Sequence, residues 1–286
     1  MPKLSIIIPT FNSSACIEEC LRSIASQTFS DYEVIVQDGC SSDGTVDKIR
    51  NFQRSDPGID VKLAIEKDKG PYDAMNRGVR GASGEWLYFL GSDDQFHDRD
   101  VLRVMLGGLD LAAYEVIYGN VKMLGEPGWS YLYDGVFDLK KLLNRNICHQ
   151  SIFYRAEFLR RVGEYNTNYV IYADWDFNLR CWSRTAFRYA DVVVADFRVG
   201  GLSSSCKDDS FRSEVAANVL RYFGLSAWHR LVDTPAFVGF EGIVRMQDLE
   251  ASSGRLGARA RRALARARRV LHRSHRALGQ AGKAKS

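Results

Sequence analysis

Leu4-Ser5-Ile6-Ile7-Ile8-Pro9-Thr10-Phe11-Asn12 is the stretch that decides the fold. Its isoleucines run on without the apolar–polar alternation of a one-faced strand, as a strand covered on both faces requires. Pro9 and Asn12 end it. Ile17, Cys20, Leu21 and Ile24 follow at i, i+3, i+4 and i+7, one face of a helix. The same alternation then repeats. Residues 32–36 predict a second strand ending in Asp38-Gly39, Val46 and Ile49 mark a second helix, and 61–65 predict a third strand. Gly70-Pro71 opens a helix through Arg80, with Pro71 suited to its first turn. Residues 86–90 predict a fourth strand, running into Gly91-Ser92-Asp93-Asp94. Successive strand–helix–strand units require right-handed crossovers, hence an α/β fold with a Rossmann-like, mainly parallel sheet flanked by helices.

Past residue 100 the pattern loosens. A helix near 99–110, a strand at 115–121, a Gly- and Tyr-rich stretch, a helix at 174–184 and a strand at 188–197 predict a mixed second half. The expected organisation is one domain over 1–225, with halves 1–97 and 98–225, an extension over 226–254 and a tail over 255–286.

Composition narrows the classes. The chain has 286 residues, 45% of them apolar, enough for one large α/β core. Its apolar runs, such as Val192-Val193-Val194-Ala195, are far short of a bilayer span. Lys3 with residues 4–8 imitates the start of a secretion signal, but Pro9 and Asn12 interrupt it and no small-residue cleavage site follows. Cys16, Cys20, Cys40, Cys148, Cys181 and Cys206 form no CxxC pair and no metal-finger spacing. Reduced thiols and a cytoplasmic location are the expectation. The formal net charge of +4 averages two unlike parts. All 35 acids lie at or before Glu250, whereas eleven of the 39 Lys and Arg fall in 255–285, so a body of net −7 precedes a tail of net +11.

In an open parallel sheet, ligands bind beyond the carboxyl ends of the strands. The predicted ends bring Pro9-Thr10-Phe11-Asn12, Asp38-Gly39 and Ser92-Asp93-Asp94 to one edge: a ring for stacking, polar groups and two adjacent carboxylates. No GxGxxG follows the first strand and no GxxxxGK[ST] occurs, which argues against a dinucleotide dehydrogenase and a P-loop enzyme. Asp93 and Asp94 by themselves admit a turn or helix cap. They equally suit a hard divalent cation, Mg²⁺ or Mn²⁺, shared with a substrate diphosphate. Their place at the sheet edge favours the second reading.

These motifs, in this order, resemble the family 2 glycosyltransferases of GT-A-type fold, and within them a capsule- and colanic-acid-type subgroup that builds bacterial surface polysaccharide. The resemblance runs over about residues 3–200. Pro9-Thr10-Phe11-Asn12 resembles the opening of the nucleotide pocket. Asp38-Gly39-Cys40-Ser41-Ser42-Asp43-Gly44-Thr45 resembles the family's Asp-Gly-Ser-x-Asp-Gly-Thr segment, whose first Asp contacts the base. Residues 66–78, Glu-Lys-Asp-Lys-Gly-Pro-Tyr-Asp-Ala-Met-Asn-Arg-Gly, resemble a segment of the subgroup, and Phe89-Leu90-Gly91-Ser92-Asp93-Asp94 resembles the metal-binding Asp-x-Asp region. The resemblance implies a nucleotide-diphosphate sugar held by Pro9, Thr10, Phe11, Asn12, Asp38, Lys69, Gly70, Asp73, Asn76, Arg77 and Ser92, with the cation on Asp93 and Asp94. Two positions depart from the pattern. Gly91 stands where the triplet has its first Asp, and Met75 where Arg is common, which passes the diphosphate contact to Arg77 or Lys69.

Asp174-Trp175-Asp176-Phe177-Asn178-Leu179-Arg180 resembles the family's Glu-Asp-Trp-x-Leu-x-x-Arg segment. The match puts Asp174 on the catalytic base of an inverting transfer, the group that takes the acceptor hydroxyl proton. As first-turn residues of a helix, Asp174 and Asp176 also suit its dipole, and Asp176 competes for the base. His149, Gln150, Trp175 and Asp176 are acceptor-side candidates, beside a structural reading for His149 and a core reading for Trp175. Gly200-Gly201-Leu202-Ser203-Ser204 resembles a loop that closes over the donor, without the His that some relatives place there. The expected acceptor is a hydroxyl of a glycan or polyprenyl-linked saccharide. A sugar nucleotidyltransferase would need a Gly-rich loop that residues 9–14 lack, and a non-catalytic nucleotide-sugar- or nucleic-acid-binding module would leave the arginine tail to act alone.

In that tail Leu256, Ala260, Leu264, Ala267, Leu271 and Leu278 recur mostly at three- and four-residue intervals among arginines, the pattern of a basic amphipathic helix. It would lie peripherally on the anionic inner leaflet, at up to about 1 kcal/mol per basic residue. Non-specific nucleic-acid contact and a solvated extension rank below that. A chain cut after residue 250 is expected to lose most of its co-sedimentation with anionic liposomes at low salt, where the full chain binds. Equal partitioning of the two would exclude a membrane role for the tail.

Overall fold

β1 (Leu4–Thr10) holds Leu4, Ile6, Ile7 and Ile8 at 0% exposure, so both of its faces are covered. In this computed structural model, which describes residues 1–125, 128–201 and 208–232, β1 is an interior strand of a nine-stranded sheet. It pairs in parallel with β2 (Tyr32–Asp38) on one side and β4 (Trp86–Phe89) on the other, and β3 (Val61–Ile65) extends the ladder beyond β2. The crossovers are α1 (Ile17–Ala25), α2 (Thr45–Ser55) and α3 (Pro71–Gly81). The predicted stripe Ile17, Cys20, Leu21 and Ile24 is the buried face of α1, packed in one core with Leu4, Ile6 and Ile8. Ile7 meets α3 instead. A Cβ on Gly78 would come within 2.4 Å of the Ile7 Cγ2, so the missing side chain is what lets α3 close on β1.

The second half is mixed, as the loosened pattern implied. It holds β5 (Gln95–Phe96), α4 (Val101–Gly107), β6 (Val116–Leu124), β7 (Ser130–Tyr133), a 3-10 turn (His149–Ser151), β8 (Ile152–Arg155), α6 (Ala156–Val162), α7 (Ala173–Trp182) and β9 (Phe187–Arg198), with α5 at Leu139–Asn144. Strand order is β3-β2-β1-β4-β8-β6-β9-β5, with β7 paired to β6. β8 sits antiparallel between β4 and β6, and only the β6–β9 pairing in this half is parallel. Tyr88 of β4 stitches the halves: its ring stacks on Phe153 at 4.5 Å and Phe96 at 5.1 Å, and its hydroxyl donates to the Gln150 carbonyl at 2.7 Å.

The chain divides into two compact units, residues 1–137 with 147–207, and 138–146 with 208–286. The sheet belongs to the first. The second contains α5, N-capped by Asp138, which accepts from the Lys141 amide, and α8 (Asp209–Val232) with Phe211, Val215 and Val219 buried. Among the described residues no helix is long and apolar enough to cross a membrane. Leu202–Ser204 of the donor loop, the extension past 232 and the 255–286 tail lie outside the described residues.

Chain progression runs from β1 through β2 to β3 on one side and jumps to β4 on the other. The carboxyl ends of β1 and β4 therefore frame the switch point where such sheets bind ligands.

One buried charge in this frame is pH-sensitive. Burial disfavours an ionised Glu33, but hydrogen bonds from Lys62, Ser5 and Ser83 outweigh it and bring the carboxyl down to about 2. A carboxyl held below its ordinary value of about 4.3 stabilises the fold above that pH and loses this contribution as pH falls toward 2. Chemical denaturation of Glu33→Gln should show lower stability than wild type at pH 7 and a shallower loss between pH 5 and 2.

Candidate active site

The ends of β1 and β4 open into a cavity of about 200 Å³. Pro9 and the loop Gly91–Asp94 form one wall, Pro71, Tyr72 and Met75 from the start of α3 a second, and His149, Gln150, Val170 and Ile171 a third. Phe197, Arg198 and Gly201 close it from the end of β9.

The two adjacent carboxylates have unlike surroundings. Asp94 is 1% exposed. Its Oδ2 accepts from Gln150 Nε2 at 2.7 Å and its Oδ1 from the Arg198 amide at 3.0 Å. Burial, then the negative charge of Asp93, raise its pKa to about 6 despite those bonds. Asp93 lines the cavity too but, unlike Asp94, accepts no hydrogen bond from the described residues. Asp94 therefore fastens the loop, and Asp93 offers its oxygens to a ligand. Gly91 fits the same arrangement, because a Cβ there would come within 2.5 Å of Asp94 Oδ2 and 3.0 Å of Asp93 Oδ1. An Asp in that place would collide with the carboxylate that pins the loop.

Gln150, which lines the cavity, also belongs to this clamp: Cys148 Sγ donates to its Oε1 at 2.9 Å while its amide holds Asp94. Burial pushes the Cys148 thiol up, so it stays a donor. Among the described residues no group of three or more His, Cys, Asp or Glu gathers to hold a metal. A single open carboxylate suits a hard cation that takes its remaining oxygens from a substrate diphosphate and water.

Asp174 sits in the first turn of α7, 8% exposed. Two wall residues reach it: Tyr72 donates to Oδ1 at 3.0 Å, and His149 Nδ1 lies 3.6 Å from Oδ2. Asp176, 2% exposed, is ion-paired to Arg180 at 3.0 Å, and Trp175 packs edge-on to Tyr172 at 5.6 Å. None of Asp174, Trp175 and Asp176 lines the cavity itself; Asp174 borders it through Tyr72 and His149, whereas Asp176 is engaged by Arg180.

The Glycosyl transferase family 2 model matches residues 5–163. The chain belongs to that family. A PGL/p-HBAD biosynthesis glycosyltransferase of Mycobacterium tuberculosis is 45% identical over 217 residues, covering 73% of this chain and 82% of that protein. A GalNAc(5)-diNAcBac-PP-undecaprenol beta-1,3-glucosyltransferase of Campylobacter jejuni is 36% identical over 135 residues, 47% of this chain and 43% of that one. Among solved structures, S. aureus TarS 1–349 in complex with UDP superposes with a TM-score of 0.67 at 19% identity, covering 99% of this chain and 92% of that one. The fold is GT-A-like.

In this glycosyltransferase the remaining nucleotide-side residues lie outside the cavity wall. Asp38 is buried, with Ser41 donating its amide to Oδ1 at 2.8 Å and its hydroxyl to Oδ2 at 2.6 Å. That same Ser41 hydroxyl accepts the Asn12 amide, and Asn12 Oδ1 in turn accepts Ser42, so the loops after β1 and β2 are laced together. Thr10 is buried, while Phe11 is 63% exposed beside Gly39 at the open edge. Asp73 accepts from the Lys69 amide and pairs with Arg77 at 3.0 Å; Arg77 also meets Glu66 at 3.0 Å. Gly70, at φ 118, supplies the turn into α3. Lys69 is exposed, so the expected diphosphate cations are either engaged in ion pairs or away from the cavity. Asn76 clamps Tyr165, donating to its carbonyl at 3.0 Å and accepting its amide at 2.9 Å. Sequence reasoning passed over Tyr72 and Arg198, and the bare sequence carries no signal for Arg198 except its place at the end of a predicted strand.

Asn76→Ala should leave the Tyr165 backbone unpaired in the interior, at roughly 2 kcal/mol. The expected result is a lowered Tm with unchanged affinity for a nucleotide, measured by thermal unfolding and calorimetry. A loss of nucleotide affinity at constant Tm would return Asn76 to the donor site.

Proposed function

We propose that this family 2 enzyme transfers a sugar with inversion from a nucleotide-diphosphate sugar to a hydroxyl of a lipid-linked or surface glycan. The supporting observation is that one cavity is lined by an open carboxylate, Asp93, and by Arg198, and borders Asp174 through Tyr72 and His149. Pro9, Phe11, Asn12, Asp38 and Ser92 would surround the nucleotide at the edge of the sheet, with UDP, bound by TarS, the first base to test. Arg198, the sole Lys or Arg among the described residues of the wall, would face the diphosphate. Its guanidinium pairs with Glu19 at 2.6 Å, an ion pair that the diphosphate would have to displace or share.

Mechanistically, the acceptor oxygen attacks the anomeric carbon from the face opposite the diphosphate, its proton passes to Asp174, and the bond to the diphosphate oxygen breaks. Arg198 compensates the charge that collects on the leaving group. A divalent cation, Mg²⁺ or Mn²⁺, held by Asp93 and the diphosphate, would add Lewis-acid neutralisation of that charge when bound.

The acceptor class rests on the names of the relatives, one of them acting on a PP-undecaprenol-linked glycan, and on the subgroup segment at 66–78. An acceptor of that kind would bring the enzyme to the cytoplasmic membrane surface, with the basic tail as its anchor.

Asp174→Asn should lower transfer by a hundredfold or more while leaving nucleotide binding intact. The assay is nucleotide release from a panel of UDP-, GDP- and dTDP-sugars with Mn²⁺, beside thermal shift by the free nucleotide. Unaltered turnover would rule out Asp174 as the base. Arg198→Ala should raise the donor Kd about tenfold, the scale of one charge-assisted contact.

A further inference from the structure

The Tyr72 hydroxyl has one proton and two acceptors: the Ile171 carbonyl at 2.7 Å and Asp174 Oδ1 at 3.0 Å. All three groups are buried, and Tyr72 belongs to α3, the helix opened by the 66–78 segment, whereas Asp174 belongs to α7. The other Asp174 oxygen lies on the side where His149 lines the cavity.

A charged acceptor outbids a neutral carbonyl for a shared proton, because hydrogen bonds to ions are the stronger. While Asp174 is ionised, the hydroxyl therefore turns to Oδ1. Once Asp174 has taken the acceptor proton and lost its charge, the shorter bond to Ile171 becomes the better one. We propose that Tyr72 is a positioning residue for the base, a hydroxyl that swings between Asp174 and the Ile171 carbonyl as Asp174 changes charge. It holds Oδ1 while the proton is taken at Oδ2, and relaxes afterwards without leaving a buried donor unmet. Burial, and the neighbouring Asp174 charge, push the Tyr72 pKa well up, so it remains a donor throughout. In the transfer step the acceptor O–H bond breaks, its proton joins Asp174 Oδ2, the acceptor oxygen bonds the anomeric carbon, and the electron pair of the old glycosyl–phosphate bond leaves on the diphosphate. Tyr72 loses no proton.

This inference rests on Asp174 being the base, and two variants separate the claims. Tyr72→Phe keeps the ring and its packing on Tyr165 at 5.7 Å. Its kcat, per nucleotide-binding site and on whichever sugar nucleotide the wild type turns over, should fall about tenfold with donor KM and Tm unchanged. A merely structural tyrosine would lower Tm and leave kcat per site alone, which would overturn the proposal. Site-specific 3-fluorotyrosine at 72 retains fold and hydroxyl while making the donor stronger and the base weaker, so kcat should drop by a measurable factor even where Tyr72→Phe folds poorly. Wild-type kcat in the fluorinated enzyme overturns the proposal. If Asp174→Asn retains wild-type turnover, the base assignment itself fails, and the Tyr72 variants are then expected to be silent.

Discussion

The site depends on one buried carboxylate. Asp94 is taken out of water and answered from two directions, by Gln150, 56 residues away along the chain, and by the amide of Arg198, 104 residues away. An unanswered carboxylate at that depth would be costly enough to deform the loop or change its protonation. Because both partners come from the mixed half of the sheet, this single group fixes the end of the parallel half against it. Asp93 and Arg198 face the same cavity as a result: the loop and the end of β9 are held by the same side chain.

The neighbouring departures from the family pattern make physical sense around that carboxylate. Gly91 is empty of side chain where Asp94 needs room, so the triplet shrinks to one open ligand. Met75 lines the cavity without charge, and Arg77, two residues further, is ion-paired with Asp73 and Glu66. Arg198, on the far wall, is the cation proposed for the diphosphate.

Much of the parallel half was legible because its signals are local. An apolar run covered on both faces, a helical stripe at 17, 20, 21 and 24, and Gly-Pro at a helix start each speak within a dozen residues. β5, β7 and β8 are only two to four residues long, too short for periodicity to register, and β5 and β8 are held by pairing partners far along the chain. The site divides the same way. Motif spacing brought Pro9, Ser92, Asp93, Asp94, His149 and Gln150 to one cavity. It could not tell which of two adjacent aspartates is hydrogen-bonded from both sides, nor that Asp176 is claimed by Arg180 one turn on, nor that the Asn76 amide is matched to the Tyr165 backbone. The first and the last are partnerships between distant segments, and residue type alone does not encode them.

The contact between Gly78 and Ile7 reaches further than a packing detail. The depth at which α3 seats on the sheet sets how far every side chain on that helix extends, and Tyr72 lies not quite two turns upstream of the glycine. A single added methyl there would act like a shim under one end of a lever, moving a hydroxyl whose bonds are measured in tenths of an ångström. Damage to this enzyme's turnover can therefore originate in a residue that touches neither sugar nor nucleotide, and genetic variants at such a hinge of packing would present as faults of chemistry in a protein that still folds.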